Sequence, residues 1–319
     1  RSTLFPYTTL FRSALACEAA MVTIRKISTA KNRLKTGKGS DGRNFILYYS
    51  DEIDPKALLV YIHGGGLLYG TPEDLPKMHV EKFTSTGYAI LAIDYPLAPQ
   101  AKIDAILEDI VDSINKSFKA ADLADSLPLF VWGRSAGAYL ALLSSVNDKL
   151  TVKLNGIISY YGYGFLNDGW YDAPSAFYSQ LPAVPAEMAK TDRQEAIYSG
   201  ALDEYYSTYV YARQTGRWKD LIYEGRDKFF FLYYTLRTVD SLPAPVFAAH
   251  STGDTDVPYS EFISLCNKYK PEKFIVSIHA HDFDRNTDDP ATKDLLSKTS
   301  DFIENKLTQI GRASCRERV

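Results

Sequence analysis

Cysteine is scarce: Cys17, Cys266 and Cys315 are the three in 319 residues. A set so sparse and odd gives no disulfide framework and no metal-ligand spacing, and it fits a reducing cytoplasm. No run of about 18 apolar residues occurs, so no membrane span is expected. Neither sign of charge dominates. The net charge is −3, the pI is ≈ 6.0, and the basic residues are scattered. This excludes the electrostatic footprint of a nucleic-acid or anionic-membrane binder. Internal repeats and low-complexity stretches are missing, and the glycine segment at 61–70 carries neither of the phosphate-binding patterns GxxxxGK[ST] and GxGxxG. No His/Cys/carboxylate cluster has ligand spacing, so neither a metal nor another cofactor is expected.

What is present is material for one large core. Hydrophobic residues make up 45% of the chain, enough for one large domain or one domain carrying an insertion. Both ends read as foreign to it. "RSTLFPYTTLFRS" (1–13) and "GRASCRERV" (311–319) resemble translated sequencing-adapter sequence. Residues 1–20 are therefore set aside as a leader, with Met21 as the expected start, and 311–319 as a tail. Oligomeric state is not legible.

Short apolar, β-branched runs alternate with helical patterns. "FILYY" (45–49), "ALLVYIH" (57–63), "YAILAID" (88–94), "LFVWG" (129–133), "GIISYYG" (156–162), "PVFAAH" (245–250) and "FIVSIH" (274–279) read as strands. Runs apolar on both faces suit a buried, mostly parallel sheet. Ile103, Ile106, Leu107, Ile110, Val111 and Ile114 recur at helical spacing, as do Leu295, Leu296, Phe302, Ile303 and Leu307. The pattern predicts an α/β fold with helices on both faces of the sheet. Residues 164–242 break the rhythm, since residues 160 to 235 hold 20 of the 42 aromatics. Helical stretches such as "RQEAIYSGALDEYYSTYVYARQTG" suggest a subdomain that packs its own aromatics, a lid over a substrate pocket, or both. The expected division is a core at 21–163 and 243–310, interrupted by a helical lid at 164–242.

Two glycine-rich segments carry chemistry. Gly133-Arg134-Ser135-Ala136-Gly137 follows one strand and precedes a helical run. A sharp strand-to-helix turn needs glycines for close backbone approach and exposes the Ser135 hydroxyl. The helix N-terminus presents free N–H groups to developing negative charge. The bland alternative is an ordinary glycine-rich turn with an N-cap serine. In "YIHGGGLLYG" (61–70), three consecutive glycines follow a strand. They cost backbone entropy and pack nothing, which makes sense where main-chain N–H groups must face a site.

His63-Gly64-Gly65-Gly66, "DYPLAP" (94–99) and Gly133-Arg134-Ser135-Ala136-Gly137 together resemble the HGGG-type α/β-hydrolases. These include the hormone-sensitive-lipase-like carboxylesterases of the alpha/beta hydrolase fold-3 group and their bacterial relatives. The likeness runs over roughly residues 40 to 305. It implies an α/β-hydrolase fold with the lid inserted after the sixth strand. It implies Ser135 as nucleophile, the N–H groups of Gly65, Gly66 and Ala136 as oxyanion donors, and His63 as a structural ring holding the glycine loop. Pro96, Gln100 and Arg134 depart from the family pattern, where arginine, glutamate and an acidic residue respectively are common. The implied activity is cleavage of small to medium acyl or aryl esters through an acyl-enzyme. A prolyl-oligopeptidase-type peptidase shares the triad order but usually carries an extra N-terminal domain. A non-catalytic binder on the same scaffold is the third reading.

The family order is Ser, acid, His. "AAHSTGDTDVPY" (248–259) resembles the acid loop and points to Asp254, with Asp256 read as a helix-start residue and His250 as structural. "SIHAHDF" then offers two histidines. His279 continues the strand's alternation into helix packing, whereas His281 lies just beyond the strand, where a ring can turn back over Ser135. The expected triad is Ser135, Asp254 and His281, with His279 in reserve.

Overall fold

The computed structural model describes residues 45–50, 52–192 and 195–316; the expected leader at 1–20 lies outside them. Seven strands form one sheet: β1 (Phe45–Tyr48), β2 (Ala57–Ile62), β3 (Tyr88–Ile93), β4 (Leu129–Arg134), β5 (Gly156–Tyr160), β6 (Val246–Ser251) and β7 (Glu272–Val276). Their order is β1-β3-β2-β4-β5-β6-β7, with β1 antiparallel to β3 and every other pairing parallel. The sheet is thus mostly parallel, as the two-sided apolar runs require.

Alternate strand residues feed two cores. Leu58, Val60 and Ile62 of β2 join α2 (Ile103–Asn115) and α4 (Ala136–Ser145) on one face, which also takes in the segment between β5 and β6. On the other face Leu59 and Tyr61 meet α1 (Lys77–Ser85) and α9 (Pro290–Arg316) through Val80, Phe83, Leu295 and Phe302. A short α3 (Ser117–Ala121) follows α2. The last helix runs past residue 310, where the sequence reading ends the core.

The insertion differs from expectation in two ways. Among the described residues it follows the fifth strand rather than the sixth. Its first helix, α5 (Leu202–Thr215), also starts nine residues later than the pattern at 193–216 suggests. Gly200 is extended instead and exchanges backbone hydrogen bonds with Gly70, N to O at 2.7 and 2.9 Å. The long-range bridge outweighs local helical preference, and Gly216, at φ 68°, ends the helix in the left-handed region that favours glycine. Two short helices, α6 (Trp218–Ile222) and α7 (Asp227–Tyr233), complete the insertion before β6, and α8 (Tyr259–Tyr269) links β6 to β7.

The seventh strand is also displaced, at 272–276 instead of 274–279. Ser251 at the end of β6 stops the ladder. Its Oγ accepts the His279 N–H at 3.0 Å and donates to the His279 carbonyl at 2.5 Å. Ile278 turns to φ 59°, so His279 lies in a loop and not on a strand. Its ring does not enter helix packing as expected; Nε2 lies 3.0 Å from Asp289 Oδ2, just ahead of α9.

Candidate active site

The loops at the carboxyl ends of β2, β4, β6 and β7 converge. Ser135 joins β4 to α4 at φ 53°, ψ −119°, a conformation that a serine holds only under constraint. Its N–H donates to the Tyr160 carbonyl at the end of β5, 2.9 Å away. The flanking glycines are steric necessities. A Cβ on Gly133 would sit 2.1 Å from the Gly137 carbonyl oxygen, and one on Gly137 would sit 2.1 Å from that of Ile62. Ala136 is the first residue of α4, so its N–H has no acceptor within the helix.

The glycine loop packs against this turn. A Cβ on Gly64 would lie 3.3 Å from that of Ser135. Gly65 and Gly66 adopt φ 99° and 60° and line the same pocket as Ser135. His63 supports them: Nδ1 lies 2.9 Å from the Gly64 carbonyl, and the buried ring stacks on Tyr95 at 4.3 Å. Burial holds its pKa below the usual value, so it is a neutral prop. The insertion reaches the loop as well, through Trp218 Nε1, which donates to the Gly66 carbonyl at 2.8 Å.

His281 brings the two remaining loops to Ser135. Its Nε2 lies 2.9 Å from Ser135 Oγ and its Nδ1 lies 2.7 Å from Asp254 Oδ2. The Asp254 side chain is buried in the loop after β6, and its other oxygen accepts the N–H groups of Asp256 and Val257, each at 2.9 Å. Asp254, not Asp256, therefore takes the N–H groups ahead of Pro258, and no side chain caps the next helix. Asp256 instead binds the insertion. It accepts from the Tyr209 hydroxyl at 2.7 Å and from Arg213 Nη1 at 2.9 Å, both on α5. His250 packs behind, with Nε2 3.1 Å from the Val257 carbonyl.

Carboxylates surround the imidazole. Besides Asp254, an oxygen of Asp256 and one of Asp282 each lie 3.9 Å from Nε2. Burial alone would lower the His281 pKa, but Asp254 first, then Asp256 and Asp282, outweigh it and hold the pKa above its ordinary value. Burial opposes the Asp254 charge too, and His281 outweighs it, leaving the acid below its usual range. The pocket at Ser135 is more charged than the aromatic-rich insertion suggests. Tyr209 of the insertion lines it together with Asp74, Asp282 and Arg285. Arg285 bridges the two acids, with Nε on Asp282 at 3.0 Å and Nη2 on Asp74 at 3.3 Å. Sequence reasoning missed Asp74, Arg213 and Arg285; the charge alternation in "HDFDRN" (281–286) was the available signal for Arg285 alone.

A family model described as the alpha/beta hydrolase fold matches residues 59–220, half the chain. The chain belongs to the alpha/beta hydrolase fold family. Among relatives, the acetyl esterase of Salmonella choleraesuis (strain SC-B67) is 32% identical over 126 residues, covering 38% of this chain and 39% of the relative. The chain spans well under half the length of the curated relatives it matches. An alpha/beta hydrolase superfamily protein from Enterococcus faecalis superposes with a TM-score of 0.71 at 27% identity, covering 83% of this hydrolase-fold chain and 96% of its own. A protein of unknown function from Staphylococcus aureus subsp. aureus Mu50 gives 0.73 at 27% identity, over 85% and 97% of the two chains. No described helix is long and apolar enough to cross a membrane.

Proposed function

We propose that this protein is a serine hydrolase that cleaves small to medium acyl or aryl carboxylic esters through an acyl-enzyme. The observation that carries this reading is the hydrogen-bonded line Asp254–His281–Ser135, with links of 2.7 and 2.9 Å. Ser135 Oγ attacks the ester carbonyl while His281 Nε2 takes its proton and then returns it to the departing alkoxide. Asp254 holds Nδ1–H, fixing the tautomer and stabilising the imidazolium. The N–H groups of Gly65, Gly66 and Ala136 receive the oxyanion, a task in which one donor is worth about 2.7–4 kcal/mol. Water, deprotonated by the same imidazole, then attacks the acyl carbonyl and releases Ser135. The likeness to an acetyl esterase supports ester substrates.

The test uses the unaltered protein and Ser135→Ala with a fluorophosphonate probe, p-nitrophenyl esters of rising chain length and an aminoacyl anilide. Labelling confined to the unaltered protein, with fastest turnover on short esters, is expected. An unaltered protein that takes no label sinks the reading, and preferred anilide cleavage replaces the esterase with a peptidase. Turnover should also rise with pH through an apparent pKa above the ordinary histidine value of about 6.5, because the neutral ring is the competent base.

A further inference from the structure

Arg134 ends β4 immediately before Ser135 and is 1% exposed. Its Nη2 donates to Asp284 Oδ1 at 2.9 Å and its Nε donates to the Tyr161 hydroxyl at 2.6 Å. That hydroxyl donates to the same Asp284 oxygen at 2.7 Å. The second Asp284 oxygen lies 2.7 Å from Nε2 of His79 on α1. All four side chains are buried. Burial opposes the Asp284 charge, yet Arg134 and then His79 hold the carboxyl far below its usual range, so the pair is ionic.

The position of this pair matters more than its existence. Asp284 lies in the turn Phe283–Arg285, three residues after His281. A closed circuit results. It runs from Ser135 to Arg134, across the ion pair to Asp284, back along the chain to His281, and across 2.9 Å to Ser135. Tyr161 braces it from inside. Its ring meets the His281 imidazole edge-on at 4.7 Å and 66°, and the carbonyl of the preceding Tyr160 holds the Ser135 N–H.

Stability alone does not call for this device. Burying two charges costs several kcal/mol per ion, and well-packed apolar residues of similar volume often serve as well or better. Apolar packing cannot, however, dictate one placement of the turn against the strand, whereas a hydrogen-bonded ion pair does.

We propose that Arg134 and Asp284, braced by Tyr161, are positioning residues that align the His281 imidazole with Ser135, an inference that rests on the catalytic reading of those two residues. None of the three supplies the nucleophile, the base or an oxyanion donor. They act through the geometry of the Ser135–His281 pair, where a misplacement of about 1 Å can cost about 100-fold in rate.

The experiment compares the full chain with Tyr161→Phe, Asp284→Asn and the double variant Arg134→Met/Asp284→Leu. It measures kcat and KM on p-nitrophenyl acetate and the pH dependence of phosphonate labelling at Ser135, well below each melting temperature. We expect kcat to fall about 10-fold in Tyr161→Phe and about 100-fold in Asp284→Asn, with KM within about twofold and the labelling profile shifted in pH. The double variant leaves no buried charge unpaired, so it keeps the test open even if Asp284→Asn fails to fold. It should still lose kcat. A purely structural role lowers the melting temperature and leaves kcat and the pH profile of the folded protein unchanged; that result in Tyr161→Phe and the double variant overturns the inference. Inert unaltered protein instead sinks the catalytic reading, and the inference falls with it.

Discussion

The glycine loop after β2 and the turn after β4 are shaped by contacts that leave no room for a side chain, whereas the loops after β6 and β7 are held by charges. Around Ser135 the limits are backbone atoms: the Ile62 carbonyl beneath Gly137, the Tyr69 carbonyl 2.0 Å from where a Gly65 Cβ would stand. Around His281 they are ion pairs: Arg134 with Asp284, Arg213 with Asp256, and Arg285 with Asp282 and Asp74. Steric limits are stiff and independent of pH. Charge pairs fix direction but respond to protonation and to the loss of either partner. In the proposed mechanism the nucleophile and oxyanion donors thus sit on the rigid half, and the base that must gain and lose a proton sits on the titratable half.

The largest expected effect tests whether the charged half contains one indispensable group. His281→Ala should lower kcat on the order of 10⁶-fold, as loss of a general base from a triad does. His279→Ala, which loses a contact with Asp289, should leave most of the activity. A dead His279→Ala beside a live His281→Ala would reverse the assignment. On the rigid half, Gly137→Ala should cost several kcal/mol of stability and roughly 100-fold in phosphonate labelling, because its Cβ meets the Ile62 and His63 carbonyls, which cannot move without shifting β2. Unchanged melting temperature and labelling would show that this turn is softer than its contacts indicate.

The same division governs how much could be read from the chain. Steric constraint leaves local marks: glycines at fixed offsets and strands apolar on both faces. The sheet and the Ser135 turn were legible for that reason. Charge pairing leaves few. Arg134 finds Asp284 across 150 residues and Arg213 finds Asp256 across 43, and nothing near either arginine names its partner. Asp256 two residues before Pro258 reads as a helix start because that is its local meaning; Tyr209 and Arg213 from the insertion override it. The end of β7 failed similarly. Alternation carried the strand to residue 279, but the Ser251 hydroxyl captures His279 backbone groups that the strand pattern assigns to the ladder.

A subtler change tests whether the carboxylates around His281 set its working range. Asp282 adopts φ 57° and places an oxygen 3.9 Å from Nε2. A negative charge there favours the imidazolium, so it raises the pH at which the neutral base becomes available. Asp282→Asn removes that charge and leaves Arg285 paired with Asp74 alone, a nearby cation that disfavours the imidazolium further. Both changes act in one direction. The acid limb of kcat/KM should move to lower pH, by less than on removing the Asp254 charge, because Asp254 touches Nδ1 at 2.7 Å. The alkaline plateau of kcat should change by less than about threefold, since no proton acceptor or oxyanion donor is lost. An acid limb that stays in place would show that Arg285 already neutralises Asp282, leaving Asp254 and Asp256 to govern the base.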